Sequence, residues 1–259
     1  MARLRLPIFR KKTDNDNVFS RDSRKMLGPN LSFSASEAYK LLRTNTILSM
    51  PNNSKCKVIG VTSRDESEGK STTSINLAYS LAENNKTVLL VESDLRRPTI
   101  AKRLNIRQTP GITNLLAGMD SSQDCFKGTS LSDNITILTA GTIPPNPSEL
   151  LASDEMADLI DVCKENFDYI ILDLPPVNIV TDALVVANIV DGMIMVARAD
   201  YRKKSRIRDA LRQLEFSKVK VLGFVLTNTN IASKSYSRYG GKYGKYYRYG
   251  DYSQSSKEE

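Results

Sequence analysis

From Lys57 onward the chain alternates short apolar runs with amphipathic stretches. Val58-Ile59-Gly60-Val61-Thr62 reads as extended, Ser71 to Ala82 carries the spacing of a helix, and Thr87-Val88-Leu89-Leu90-Val91 is again an apolar run. Four more runs follow, at Ile135-Thr136-Ile137-Leu138, Tyr169-Ile170-Ile171-Leu172, Met193-Ile194-Met195-Val196 and Val219 to Val225. Their near-continuous apolar character suits strands covered on both faces, and strands alternating with helices predict an α/β fold with a parallel sheet flanked by helices. Upstream, a helix is expected with Ser36 as its cap and with Leu41, Leu42, Ile47 and Leu48 forming one apolar side.

The two ends break this pattern. Polar sequence dotted with Asn and Asp runs to residue 33 and includes Gly28-Pro29-Asn30, which predicts a flexible basic arm over 1–33. After Asn230 the composition shifts to Ser, Gly, Lys, Arg and Tyr, and seven of the eleven tyrosines fall there: Tyr236, Tyr239, Tyr243, Tyr246, Tyr247, Tyr249 and Tyr252. No aliphatic residue accompanies them, so they cannot build a core. Residues 232–259 are therefore expected as a disordered tail, leaving 34–231 as one globular domain. A chain of 259 residues, 40% hydrophobic, is long enough for such a domain to bury its own core.

Charge sharpens the division. Residues 1–30 hold eight Lys or Arg against three acids and 232–259 hold six against three, so the net +8 of the chain lies wholly in its ends. A neutral body with basic ends argues against a nucleic-acid-binding face on the domain and for tails that meet anionic partners. Three widely spaced cysteines, Cys56, Cys125 and Cys163, lack any Cys-x-x-Cys pairing, which fits a reducing compartment and no zinc site. A cytoplasmic location is expected from that cysteine pattern, and since no apolar run approaches the roughly 18 residues of a spanning helix, the protein is not expected to cross a membrane by itself. Histidine is absent, which removes Ser-His-Asp chemistry and imidazole metal sites together.

The chemistry left is that of carboxylates, lysine and metal. A strand ending at Thr62-Ser63 is followed by Arg64-Asp65-Glu66-Ser67-Glu68, and Gly69-Lys70-Ser71-Thr72 opens a helix. That order aims the amides of residues 67–71 at an anion, lets Lys70 reach β- and γ-phosphates and offers the Ser71 hydroxyl to Mg²⁺. The first glycine of the full phosphate-loop pattern is replaced by Arg64. Asp94 and Asp173 follow strands, where open parallel sheets place ligands, and carboxylates there hold magnesium directly or through water. Glu92 reads equally as a solvated strand-end acid or as a group behind the metal. Arg96 and Arg97 read as phosphate contacts or as surface arginines, and Thr227 and Asn228 as adenine contacts or turn residues.

These residues resemble the bacterial tyrosine kinase family that governs capsule and exopolysaccharide synthesis, in its Gram-positive two-protein form. Glu68-Gly69-Lys70-Ser71-Thr72-Thr73 is similar to its Walker A motif and Glu92-Ser93-Asp94-Leu95-Arg96-Arg97-Pro98 to its Walker A′. Asp173-Leu174-Pro175-Pro176 with Thr181-Asp182-Ala183 is similar to its Walker B region, and Pro144-Pro145-Asn146-Pro147-Ser148-Glu149-Leu150-Leu151 and the tyrosine tail match further. The resemblance covers almost the whole chain. It implies a P-loop fold related to the MinD and ParA ATPases, and an ATP- and Mg²⁺-dependent kinase that phosphorylates tail tyrosines between subunits. It also implies a ring of subunits, a membrane-embedded polysaccharide chain-length partner that activates the kinase at the inner face of the membrane, and a cognate tyrosine phosphatase. Glu37, Lys40 and Arg43 stand where the family carries a ring-forming Glu-x-x-Arg-x-x-Arg helix, with Lys40 a departure. Glu66-Ser67 replaces the usual Pro-Gly, and Glu92 the usual first Asp of Walker A′.

The resulting assignment gives phosphate and nucleotide binding to Ser67, Glu68, Gly69, Lys70, Ser71, Thr72, Arg96 and Asn228. Magnesium falls to Ser71, Asp94 and Asp173, and catalysis to Lys70, Asp94 and Asp173, with Asp94 orienting the acceptor hydroxyl. A MinD/ParA-like ATPase without kinase activity would share the fold and both aspartates. It would have no use for clustered tyrosines, and would carry a further lysine near the start of the loop, where Arg64-Asp65 stands. Stacking of the tail on nucleic acid is the third reading.

Overall fold

A computed structural model describes residues 27–50, 54–199 and 204–229. Seven strands form one sheet: β1 Lys57–Ser63, β2 Val88–Glu92, β3 Phe126–Gly128, β4 Ile135–Leu138, β5 Tyr169–Asp173, β6 Gly192–Arg198 and β7 Val221–Thr227. Their spatial order is β3-β4-β2-β5-β1-β6-β7. Every pairing is parallel except β3 with β4. Six strands coincide with the apolar runs of the sequence. The antiparallel edge strand β3 carries no such run, being three residues long with Lys127 at its centre.

The four longer helices are α1 (Phe33–Ser49), α2 (Lys70–Ala82), α3 (Asp154–Lys164) and α4 (Lys204–Phe216). Alternate strand residues feed two cores. Val58, Leu89, Val91, Ile170, Leu172, Met193 and Met195 point to one face, and Ile59, Val61, Val88, Leu90, Ile171, Ile194 and Val196 to the other. All are buried, and each such side chain contributes about 1.5–3 kcal/mol relative to exposure. Because both faces are covered, the central strands are apolar without alternation, as the sequence pattern required.

The N-terminal boundary differs from expectation. Leu27 is buried against the core, Gly28–Asn30 forms a single 3₁₀ turn, and the Gly28 amide donates to Asn76 Oδ1 at 2.9 Å. Helix α1 then starts at Phe33, capped by Ser32 rather than Ser36. Ser32 Oγ accepts from the Ala35 amide at 3.4 Å, while the Ser36 amide already bonds Ser32 O within the first turn. Its apolar side is also narrower than expected: Leu42 and Ile47 pack on the core, whereas Leu41 and Leu48, two turns apart, point outward at 47% and 78% exposure. Of the three residues at the ring-forming positions, Lys40 pairs with Glu37 at 2.7 Å and Arg43 donates to Ser80 O at 2.5 Å. Among the described residues no helix is long and apolar enough to cross a membrane. The arm up to residue 26 and the seven tail tyrosines lie outside the described residues.

Candidate nucleotide site at the carboxyl edge of the sheet

The carboxyl ends of β1, β2 and β5 converge on the start of α2. Between β1 and α2 the loop turns through two left-handed residues, Ser67 (φ 58°) and Gly69 (φ 95°). A side chain at Gly69 would be strained and would meet Thr227 Cγ2 at 3.2 Å. Gly69 is also the N-cap of α2 and supplies no side-chain acceptor, so the first amides of this helix remain available to an anion.

Lys70 opens the helix and its ammonium lies 2.7 Å from Asp94 Oδ2 and 3.6 Å from Asp173 Oδ2. Burial pulls the lysine pKa down, but the carboxylates of Asp173 and Asp94 outweigh it and hold the group above its ordinary value, charged at neutral pH. Burial pushes Asp173 the other way, above the ordinary carboxylate range, opposed by Lys70 and by the hydroxyls of Ser71 and Ser74. Ser74 Oγ donates to Asp173 Oδ1 at 3.0 Å. Asp94 is set by its own turn, Oδ1 accepting the Arg97 amide at 3.1 Å. One ammonium thus faces two carboxylates in a buried pocket, an arrangement short of positive charge.

Donor chemistry fits a hard divalent ion. The Ser71 hydroxyl bonds the Asp173 carboxylate, which places a hydroxyl and a carboxylate side by side at the helix start. Among the described residues no cluster of three or more His, Cys, Asp or Glu forms a cage, so an ion held here would complete its shell with phosphate oxygens and water.

Other expected residues are placed differently. Arg96, expected at the phosphates, turns instead to Asp182, with Nε 2.9 Å from Oδ2 and Nη2 3.1 Å from Oδ1, and also donates to Ser148 Oγ at 3.2 Å. Asp182 is fully buried and needs a cation, so Arg96 ties the Thr181-Asp182-Ala183 segment to the Pro147–Leu151 helix. Glu92 is not a solvated strand-end acid. Fully buried, it accepts the Ile100 amide and the Ala140 amide at 3.1 Å, and so pins two loops. Thr72 Oγ1 accepts from Arg103 at 3.1 Å, and Arg97 pairs with Glu66 across the loop.

Sequence reasoning missed how Arg64 is housed. Its guanidinium, 1% exposed, pairs with Glu68 and lies 3.1 Å from Asp65 Oδ2. Asp65 reaches in turn to Arg206 of α4 at 2.7 Å, and Glu68 Oε2 accepts the Asp65 amide at 3.0 Å. Thr227 Oγ1 holds Glu68 O at 2.7 Å, fastening the loop to the end of β7. A single arginine followed by acids one and four residues on, Asp65 and Glu68, was the available signal. Asn228, left-handed at φ 55°, lines a cleft of about 380 Å³ beside the loop.

Residues 56–215 match the AAA domain family. The tyrosine-protein kinase CpsD of Streptococcus agalactiae is 36% identical over 210 residues, spanning 81% of this chain and 90% of that one. The chain belongs to the bacterial tyrosine-protein kinase family. The crystal structure of the chimerical protein CapA2B2 superposes on this kinase with a TM-score of 0.73 at 31% identity, covering 80% of this chain and 90% of that one. The septum site-determining protein MinD from Pyrococcus horikoshii, at 22% identity over 66% of this chain and 70% of its own, shares the fold with a TM-score of 0.55. The kinase is therefore a P-loop enzyme of MinD-like architecture, and its Lys70, Asp94 and Asp173 meet at the point where three adjacent strands deliver them. Glu92 and Asp173 stand opposite each other in the β2–β5 register. That register brings Walker A′ and Walker B to one level of the sheet.

Proposed function

We propose that this kinase passes the γ-phosphoryl group of ATP to the tyrosines of its own tail, Tyr236, Tyr239, Tyr243, Tyr246, Tyr247, Tyr249 and Tyr252, and that this controls capsular or exopolysaccharide synthesis. The observation that carries the reading is the Lys70 ammonium held between Asp94 and Asp173 at the uncapped start of α2. In this reading the amides of residues 67–71 and Lys70 bind the phosphates, and Ser71 and Asp173, with Asp94, hold magnesium. Magnesium supplies charge neutralisation of the phosphoryl oxygens. Asp94 exchanges its Lys70 contact for the acceptor hydroxyl and orients it. Phosphoryl transfer passes through a loose transition state, so alignment and charge count for more than a strong base, and a tyrosine hydroxyl that titrates near 10 is a workable acceptor.

A membrane-embedded chain-length regulator as activator, a cognate tyrosine phosphatase and a ring of subunits at the inner face of the membrane complete the proposal, on the strength of the family. The test is incubation of the purified chain with ATP, magnesium and a candidate activator peptide, followed by mapping of phosphotyrosine by mass spectrometry. Phosphate on the 236–252 tyrosines supports the reading. ATP hydrolysis with no phosphotyrosine under any of these conditions would replace it with a MinD-like ATPase.

A further inference from the structure

Asp94 and Asp173, the carboxylates that face Lys70, lie on one flank of the phosphate loop, toward β2 and β5. On the other flank β6 and β7 lie one and two strand spacings from β1, about 5 and 10 Å away. The cleft of about 380 Å³ opens there, lined by the loop, by Ala199 and by Arg198 and Asn228 at the ends of these two strands. Its volume falls in the range of small-ligand pockets.

Arg198 is the last residue of β6 and pairs in register with Thr227, the residue that holds Glu68 O. Its side chain is exposed, and among the described residues it has no hydrogen-bond or ion-pair partner. Three planar side chains line the cleft: Arg64, Arg198 and Asn228. Arg64 is committed to Asp65 and Glu68, so Arg198 is the planar cation left uncommitted. The other charged side chains of the wall are Glu66 and Glu68. Both carboxylates are already paired, Glu66 with Arg97 and Glu68 with Arg64, so this wall presents little net charge beyond Arg198 and suits a neutral, flat group better than a second run of phosphates.

Building on the phosphate-loop reading above, we infer that Arg198 lays its guanidinium on the face of the nucleobase while Asn228 meets the edge of the base. A guanidinium stacks on an aromatic ring through its delocalised plane, which an ammonium lacks. An Asn amide offers one donor and one acceptor side by side, the pairing that adenine presents. Arg198 is then a positioning residue for the nucleoside, on the opposite flank from the groups that touch the transferred phosphoryl.

Titration calorimetry of the full chain with Mg-ATP and with magnesium tripolyphosphate tests this, since the second ligand has phosphates and no base. Arg198→Ala should weaken ATP about five- to thirty-fold and leave tripolyphosphate within about twofold. Arg198→Lys, which keeps the charge and loses the plane, should resemble Arg198→Ala. Full ATP affinity in Arg198→Lys, or a parallel loss of tripolyphosphate in Arg198→Ala, would make Arg198 a charge contact and overturn the inference. A wild-type chain that binds both ligands equally overturns it while leaving the phosphate loop intact. A wild-type chain that binds neither removes the phosphate-loop reading as well.

Discussion

Lys70 sits where burial opposes its charge, and two carboxylates keep it charged. Substituting it with Met leaves Asp94 and Asp173 facing each other without a cation and deprives any bound phosphate of its counter-charge. Tail phosphotyrosine in Lys70→Met should fall at least about a hundredfold and ATP binding should become too weak to measure, with the fold retained by circular dichroism. Near wild-type phosphotyrosine would remove Lys70 from the site. Ser67 carries a different cost. A left-handed conformation disfavours an L side chain by about 1–2 kcal/mol, partly offset in glycine by its greater freedom when unfolded. Ser67→Gly should therefore raise stability by about 0.5–1 kcal/mol, read as a shift in urea midpoint. At this scale Lys70, Ser71, Asp94 and Asp173 were legible because motif spacing fixes them on strand and helix ends. The partners of Arg64, Arg96 and Glu92 were not, because each reaches a residue set by tertiary packing: Arg206 through Asp65, Asp182, and the Ala140 amide.

At the level of elements the phosphate loop is clasped from two sides, by β7 through Thr227 and by α4 through Arg206. The two links differ in kind. Arg206 is half exposed, and losing it should cost less than about 1 kcal/mol, as for other surface pairs. Asp65 belongs to the buried side of the cluster, and Asp65→Asn leaves the Arg64 guanidinium with Glu68 alone. A loss of about 2–3 kcal/mol is expected, somewhat below the cost of breaking a buried pair outright. Equal urea midpoints for Asp65→Asn and Arg206→Ala would show that the buried pairing contributes nothing of its own. Strands β1, β2 and β4 to β7 could be read from composition because a sheet covered on both faces demands continuous apolar runs. Strand β3 escaped because its centre is Lys127, whose ammonium donates to Thr139 Oγ1 at 2.8 Å, Cys125 O at 3.1 Å and Pro110 O. A polar residue satisfied inside the fold looks, in one dimension, like a loop. The start of α1 was misplaced for a related reason: Ser32, Ser34 and Ser36 are equal candidates until the backbone chooses among them.

For the molecule as a whole, the three thiols report on global opening. Burial pushes Cys56 and Cys125 up to about 11 and Cys163 up to about 12. At pH 8.5 the folded thiolate fraction is then below about 1%, against about half in an unfolded chain. Iodoacetamide should leave the native protein unlabelled and modify all three residues together in urea; rapid labelling of one alone would show local opening there. The tail concerns assembly instead. The last described residue, Thr229, follows Asn228, which lines the cleft beside the phosphate loop, so the chain leading to the tail departs from that edge of the sheet. Seven residues further, Tyr236 strays at most about 25 Å, and Tyr252, twenty-three residues out, at most about 80 Å. Reach alone therefore permits a subunit to modify itself, and a ring would add a neighbour's site at high effective concentration. Each phosphate brings about −1.5 to −2 charges, so full modification takes the tail from +3 to roughly −8 to −11. A tail drawn as a cation toward a neighbour's bound phosphates would then be repelled by them, and the assembly should loosen. Mixing a Lys70→Met chain with an active chain truncated after Asn230 separates the routes, since only the inactive chain then carries tyrosines to modify. Phosphotyrosine on the inactive chain, together with a fall in solution mass once intact subunits are modified, is the expected result. An inactive chain that stays unmodified in the mixture excludes transfer between subunits, and a mass that never changes excludes the charge switch.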